Sequence, residues 1–284
     1  MKFTVESSEG LPIRGDLHLP EDARALVVIA HGFKGFKDWA FFPWLAEHLA
    51  GHRLAVCRFN MSRSGIGESP ESFDRLDLFA DDTYSEQIAD LVSATAYAQG
   101  RSDLPTFLLG HSRGGGIALL TADLIPNLAG VITWSAIARA DRWDDATKKR
   151  WRADGFLDVV NQRTKQVMRM STAILDDYEA NRDKLDILGA ASRLHVPLLV
   201  VHGGRDESVP VEESAAIAAA APEVSRLILH SAGHTYNAIH PLIHIPAQLT
   251  CAAEVTAHFV MGSVLSFSLF SPTSRASRKG KRKD

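Results

Sequence analysis

The chain has 284 residues, enough to bury a large core, and no low-complexity linker divides it, so a single domain over residues 1–270 is expected. Hydrophobic residues at 45%, charged residues at 23% and a formal net charge of −3 are the balance of a soluble globular protein and give no reason to invoke nucleic acid or an anionic membrane. The two cysteines, Cys57 and Cys251, make neither a disulfide framework nor a metal spacing, which points to a reducing, cytoplasmic setting.

The N-terminus lacks the apolar core of a signal peptide, and two short runs around Glu9-Gly10 predict an antiparallel hairpin. ALVVIA at 25–30 is continuously apolar and β-branched, as a strand covered on both faces should be. It ends at His31-Gly32-Phe33-Lys34-Gly35, before a helix from about Trp39 to Ala50. RLAVCRF at 53–59 is the next strand, and helical periodicity runs from Asp82 to Gln99. A strand from Thr106 to Leu109, a helix after Gly114 and a strand at 130–135 keep the alternation, which calls for a mostly parallel α/β sheet with helices on both faces.

The rhythm breaks between Ile137 and Leu194, where a charged segment with several aromatic residues shows helical spacing and no strand. A segment of that length is expected to be a lid or binding loop. PLLVVH at 197–202, a helix over 211–221, RLILH at 226–230 and a closing helix from about Pro246 to Met261 complete the order. The apolar stretch at 259–270 is too short to span a membrane, and the basic residues 271–284 read as a disordered tail.

The chain is organised around Gly110-His111-Ser112-Arg113-Gly114, a G-x-S-x-G pattern between a strand and a helix. That context is a nucleophile elbow, in which a serine at the apex adopts an uncommon backbone conformation and the flanking glycines avoid collision. A serine hydroxyl needs a base, and the base needs an orienting group. Asp206 and His234 both follow the C-terminal ends of predicted strands, so the assigned roles are nucleophile for Ser112, general base for His234 and orienting carboxylate for Asp206. Asp141, Asp144 and Asp176 are rival acids in the insert, and His230, His240 and His244 are rival bases. Amide donors for an oxyanion are expected from Arg113 and Phe33, whereas His31 is expected to be structural. The late histidines, including His240 and His244 four apart, raise a metal site, but Pro241 and Pro246 argue against a regular helix there, so no metal and no cofactor is assigned.

HGFKG at 31–35, GHSRGG at 110–115, HGGRDESVP at 202–210 and AGHTYNAIHP at 232–241 together resemble the α/β-hydrolase superfamily, in particular serine esterases of the dienelactone-hydrolase-like and feruloyl (cinnamoyl) esterase branch. The resemblance covers about residues 10–262 and implies a helical cap inserted at about 137–194, with oxyanion amides at Phe33 and Arg113. Dienelactone hydrolases proper carry a cysteine where this chain has Ser112, which moves the expected substrate away from dienelactone. The function so implied is hydrolysis of small acyl or aromatic-acid esters through an acyl-enzyme. Thioesterase, peptidase or acyltransferase chemistry, or a non-catalytic receptor on the same fold, are the alternatives.

Overall fold

The computed structural model describes residues 1–270; the basic tail expected at 271–284 lies outside the described residues. β1 (Lys2–Glu6) and β2 (Pro12–His18) form the expected antiparallel hairpin. β3 (Ala25–Ala30), α1 (Phe41–Gly51), β4 (Leu54–Phe59), α2 (Leu76–Ala80), α3 (Tyr84–Gln99), β5 (Thr106–His111), α4 (Arg113–Thr121) and β6 (Leu128–Trp134) then follow in alternation. The chain next passes through α5 (Asp145–Asp154), β7 (Phe156–Val160), β8 (Val167–Ser171), α6 (Ala173–Ala180) and α7 (Ile187–Ser192). It returns with β9 (Leu198–Gly203), α8 (Val211–Ala220), β10 (Val224–Leu229) and α9 (Ala247–Phe270).

Eight strands make one sheet in the order β1-β2-β4-β3-β5-β6-β9-β10, parallel from β4 onward. Every residue of β3 is buried because both faces are covered. Val27 and Ile29 face the layer that holds α1 and α9, while Leu26, Val28 and Ala30 face the layer that holds α3 and α4. The strand order reverses between β3 and β5, and the loops leaving their C-terminal ends diverge there to open a crevice.

Three sequence expectations change, the first being that the closing helix α9 runs to Phe270 rather than ending at about Met261. Helix α3 starts at Tyr84, not Asp82, because the Thr83 side chain caps it by accepting the Glu86 amide. Asp82 is thereby left outside the helix and buried. The segment expected to be purely helical contains an antiparallel β7/β8 hairpin. FLDVV and VMRMS alternate with period two, turning Leu157, Val159, Met168 and Met170 inward, and Gly155 in a left-handed conformation (φ 77°) ends α5 ahead of it. Among the described residues no helix is long and apolar enough to cross a membrane.

Candidate active site

Ser112 sits at the turn between β5 and α4 with φ 58° and ψ −121°, a conformation that costs a non-glycine residue energy and is held by its surroundings. Its amide donates to the Trp134 carbonyl at 2.8 Å, and its carbonyl accepts from Ile137 at 3.2 Å. The glycines of the motif are required by close approach. A Cβ on Gly110 would lie 2.1 Å from the Gly114 oxygen, and one on Gly114 would lie 2.3 Å from the Ala30 oxygen. The turn after β3 also comes near, since a Cβ on Gly32 would meet the Ser112 Cβ at 2.8 Å.

His31 fixes that turn. The Met61 amide donates to its Nε2 at 3.1 Å, which leaves the proton on Nδ1 to be donated to the Gly32 carbonyl at 3.0 Å. Burial pushes the His31 imidazole down to about 4, so it stays neutral in this structural role.

Asp206 follows β9, and His234 follows β10. His234 Nδ1 lies 2.8 Å from Asp206 Oδ2, while the other carboxylate oxygen accepts the Ser208 and Val209 amides, each at 2.9 Å. Burial opposes the Asp206 charge, but the hydrogen bond and charge of His234 and the two amides outweigh it and hold the carboxyl below its usual range. The carboxylate side chain is fully buried, whereas the His234 ring is 20% exposed on the cavity wall.

Two further histidines, absent from the sequence assignment, hold these groups. His202, at the end of β9, is fully buried and donates through Nε2 to the Val209 carbonyl at 2.9 Å, with the same nitrogen 3.4 Å from Asp206 Oδ2. His111, immediately before the serine, has Nε2 3.0 Å from the His234 carbonyl oxygen and its ring 4.8 Å from the His234 ring. Burial, followed by the neighbouring His234, pushes His111 down to about 3 and keeps it a neutral donor.

A cavity of about 550 Å³ opens over these residues, lined among others by Gly32, Phe33, Ser112, Arg113, His234 and Thr235. The structure therefore brings together the five residues singled out in the sequence, four on the wall and Asp206 behind His234. Ser112 and His234 face the same space without a hydrogen bond between their side chains. The Arg113 side chain makes a buried bond to Asp82 at 3.2 Å and lies 4.1 Å above the Phe33 ring, with its backbone amide at the first turn of α4. Burial, only partly offset by Arg113, pushes the Asp82 carboxyl up to about 7.

The rival acids lie elsewhere: Asp141 pairs with Lys148, Asp144 caps α5 and Asp176 pairs with Arg152. Of the rival histidines, His240 accepts the Ala40 amide at 2.8 Å and lines a second, separate cavity with His244.

A family model described as serine aminopeptidase, S33, matches residues 21–186. The chain belongs to this family of hydrolases. Among curated proteins it is 27% identical over 243 residues to the dihydrolipoyllysine-residue acetyltransferase component of the acetoin cleaving system of Pseudomonas putida, a match covering 73% of this chain and 58% of that one. It is 26% identical over 206 residues to the 2,6-dihydropseudooxynicotine hydrolase of Paenarthrobacter nicotinovorans, covering 70% and 49%. The chain thus spans about half the length of the curated relatives it matches. Among solved structures, Est1E of Butyrivibrio proteoclasticus with bound ferulic acid superposes with a TM-score of 0.72 at 18% identity, covering 93% of this chain and 99% of that one. The fold is that of the α/β-hydrolases.

Proposed function

We propose that the protein is a serine esterase that cleaves carboxylic esters through an acyl-enzyme, with Ser112 as nucleophile, His234 as general base and then general acid, and Asp206 as the carboxylate that orients it. The observation that carries this reading is the 2.8 Å bond from His234 Nδ1 to the buried Asp206, on the wall of the cavity that also holds Ser112. That bond keeps the His234 Nδ1 protonated and leaves Nε2 as the basic nitrogen. Nε2 takes the Ser112 proton as Oγ attacks the ester carbonyl, and returns it to the departing alcohol. Water then repeats the sequence on the acyl-serine. The amides of Phe33 and Arg113 are the donors assigned to the oxyanion, and the close approach of Gly32 to Ser112 supports the first of them.

The family description names an aminopeptidase, yet the cavity favours an ester. An aminopeptidase must hold a free ammonium group, and among the described residues no acidic side chain lines this cavity, whereas Lys34, Arg113, Arg142 and Arg163 do. Arg113 and Arg142 are paired with Asp82 and Glu213. Lys34 and Arg163 donate to the backbone carbonyls of Val160 and Glu71 and form no ion pair among the described residues. With Trp39, Phe42, Tyr84 and Trp143 as apolar walls, the cavity suits acyl groups that are aromatic or aliphatic and end in an anionic group.

The test is a panel of p-nitrophenyl esters, acyl-CoA thioesters and aminoacyl amides, run on the wild type and on Ser112→Ala. Turnover of esters that disappears in the variant supports the reading. Faster turnover of aminoacyl amides, or ester turnover unchanged by Ser112→Ala, contradicts it.

A further inference from the structure

Away from the cavity, where the C-terminal end of α1 meets α9, His48, His52 and Glu254 converge so that one donor atom of each lies within 4.8 Å of the other two. We propose that these three side chains bind a divalent d-block cation of the zinc type, which ties α9 to the end of α1. The proposal does not depend on the hydrolytic reading.

The two histidines are four residues apart, His48 in the last turn of α1 and His52 at its C-cap, so helical geometry brings both rings to one side. Their rings lie 5.0 Å apart. Glu254 comes from α9, more than half the chain away, and reaches both: Oε1 is 3.3 Å from His48 Nε2, and Oε2 is 3.7 Å from His52 Nε2. Zinc ligands at about 2.1 Å in a tetrahedron stand about 3.4 Å from one another, and the three donor atoms here lie within 4.8 Å, close enough for small side-chain rotations to bring them onto one ion.

The contacts are poor as protein-only interactions. His48 Nε2 is buried and has no hydrogen-bond partner among the described residues, despite the carboxylate beside it. A buried ring nitrogen left in that condition is costly, and an ion between it and the carboxylate removes the cost. The Trp44 ring stacks on His48 at 4.9 Å and fixes its orientation. Two imidazoles and one carboxylate suit zinc chemistry. His258, one turn beyond Glu254, bonds its own helix at the Glu254 carbonyl (2.7 Å) and is largely exposed, which leaves the fourth position to water.

The experiment is calorimetric titration of the full chain with zinc chloride, alongside the thermal midpoint with and without zinc. His48→Gln, His52→Ala and Glu254→Gln are compared, with circular dichroism as the control for folding. The expected result is one zinc per wild-type chain, a raised midpoint, and binding weakened by more than about tenfold in each variant. Variants that bind zinc as the wild type does place the ion on other histidines and overturn the proposal, as does a wild type that binds none. Because His52 and Glu254 are partly exposed, their variants test the site even if His48→Gln folds poorly.

Discussion

The Nε2 of His111 lies 3.0 Å from the backbone carbonyl oxygen of His234, so the residue before Ser112 also holds the loop that carries His234. With the imidazole kept neutral by burial, its Nε2 proton has one use, which is that bond. His111→Leu is expected to lower kcat by about a hundredfold with KM little changed, since a displacement of about 1 Å at the reacting groups costs that much. His111→Gln, which retains a donor, should recover part of the loss. Equal losses in the two variants would show that shape rather than the bond is what matters.

Asp206→Asn should preserve the fold and lower kcat by about 10⁴, because an amide in that position admits the wrong His234 tautomer. Steady-state kinetics with a p-nitrophenyl ester, together with an unchanged circular dichroism spectrum, check this. A loss below about tenfold would remove Asp206 from the proposed chemistry.

Gly32→Ala places a methyl 2.8 Å from the Ser112 Cβ, where only movement of Ser112 or of the 31–35 turn relieves the contact. The expected result is a fall in kcat of about a hundredfold in a protein that remains folded. Wild-type turnover in this variant would place the reacting atoms elsewhere in the cavity.

Lys34 and Arg163, which form no ion pair among the described residues, predict selectivity. p-Nitrophenyl hemisuccinate and p-nitrophenyl butyrate differ mainly in a terminal carboxylate. Lys34→Met and Arg163→Met should each lower kcat/KM for the hemisuccinate by about tenfold or more, the worth of a charged hydrogen bond, and affect the butyrate much less. Parallel losses on both substrates would contradict a carboxylate contact.

Asp82 gives a pH dependence of stability. Its carboxyl is raised to about 7 in the folded protein, so between about pH 4 and about pH 7 the folded state holds a proton that the unfolded chain has released. Its contribution to stability therefore falls as pH rises through that window. Asp82→Asn removes the titration, and urea midpoints at about pH 5 and about pH 8 should fall less between the two for the variant than for the wild type. An identical fall would show that Asp82 is charged throughout.

The sequence made legible what short-range backbone geometry dictates. Gly110 and Gly114 are forced by contacts within and beside the elbow, and Asp206 and His234 by their places at strand ends. The supporting histidines were hidden because their roles depend on partners brought near by the sheet. His111 meets a carbonyl 123 residues away, and His202 shows its purpose only beside Asp206. The β7/β8 hairpin is illegible for a different reason: five-residue strands of alternating apolar residues are easily absorbed into the helical periodicity of α5 and α6 around them. The pairing of His48 and His52 with Glu254 joins the second helix layer across the chain and leaves no local trace.

The most direct measurement is labelling of the protein with a fluorophosphonate, followed by mass-spectrometric location of the adduct. The account predicts one adduct, on Ser112, and none in the Ser112→Ala variant. An adduct on another residue, or no reaction with a folded wild-type protein, would contradict it.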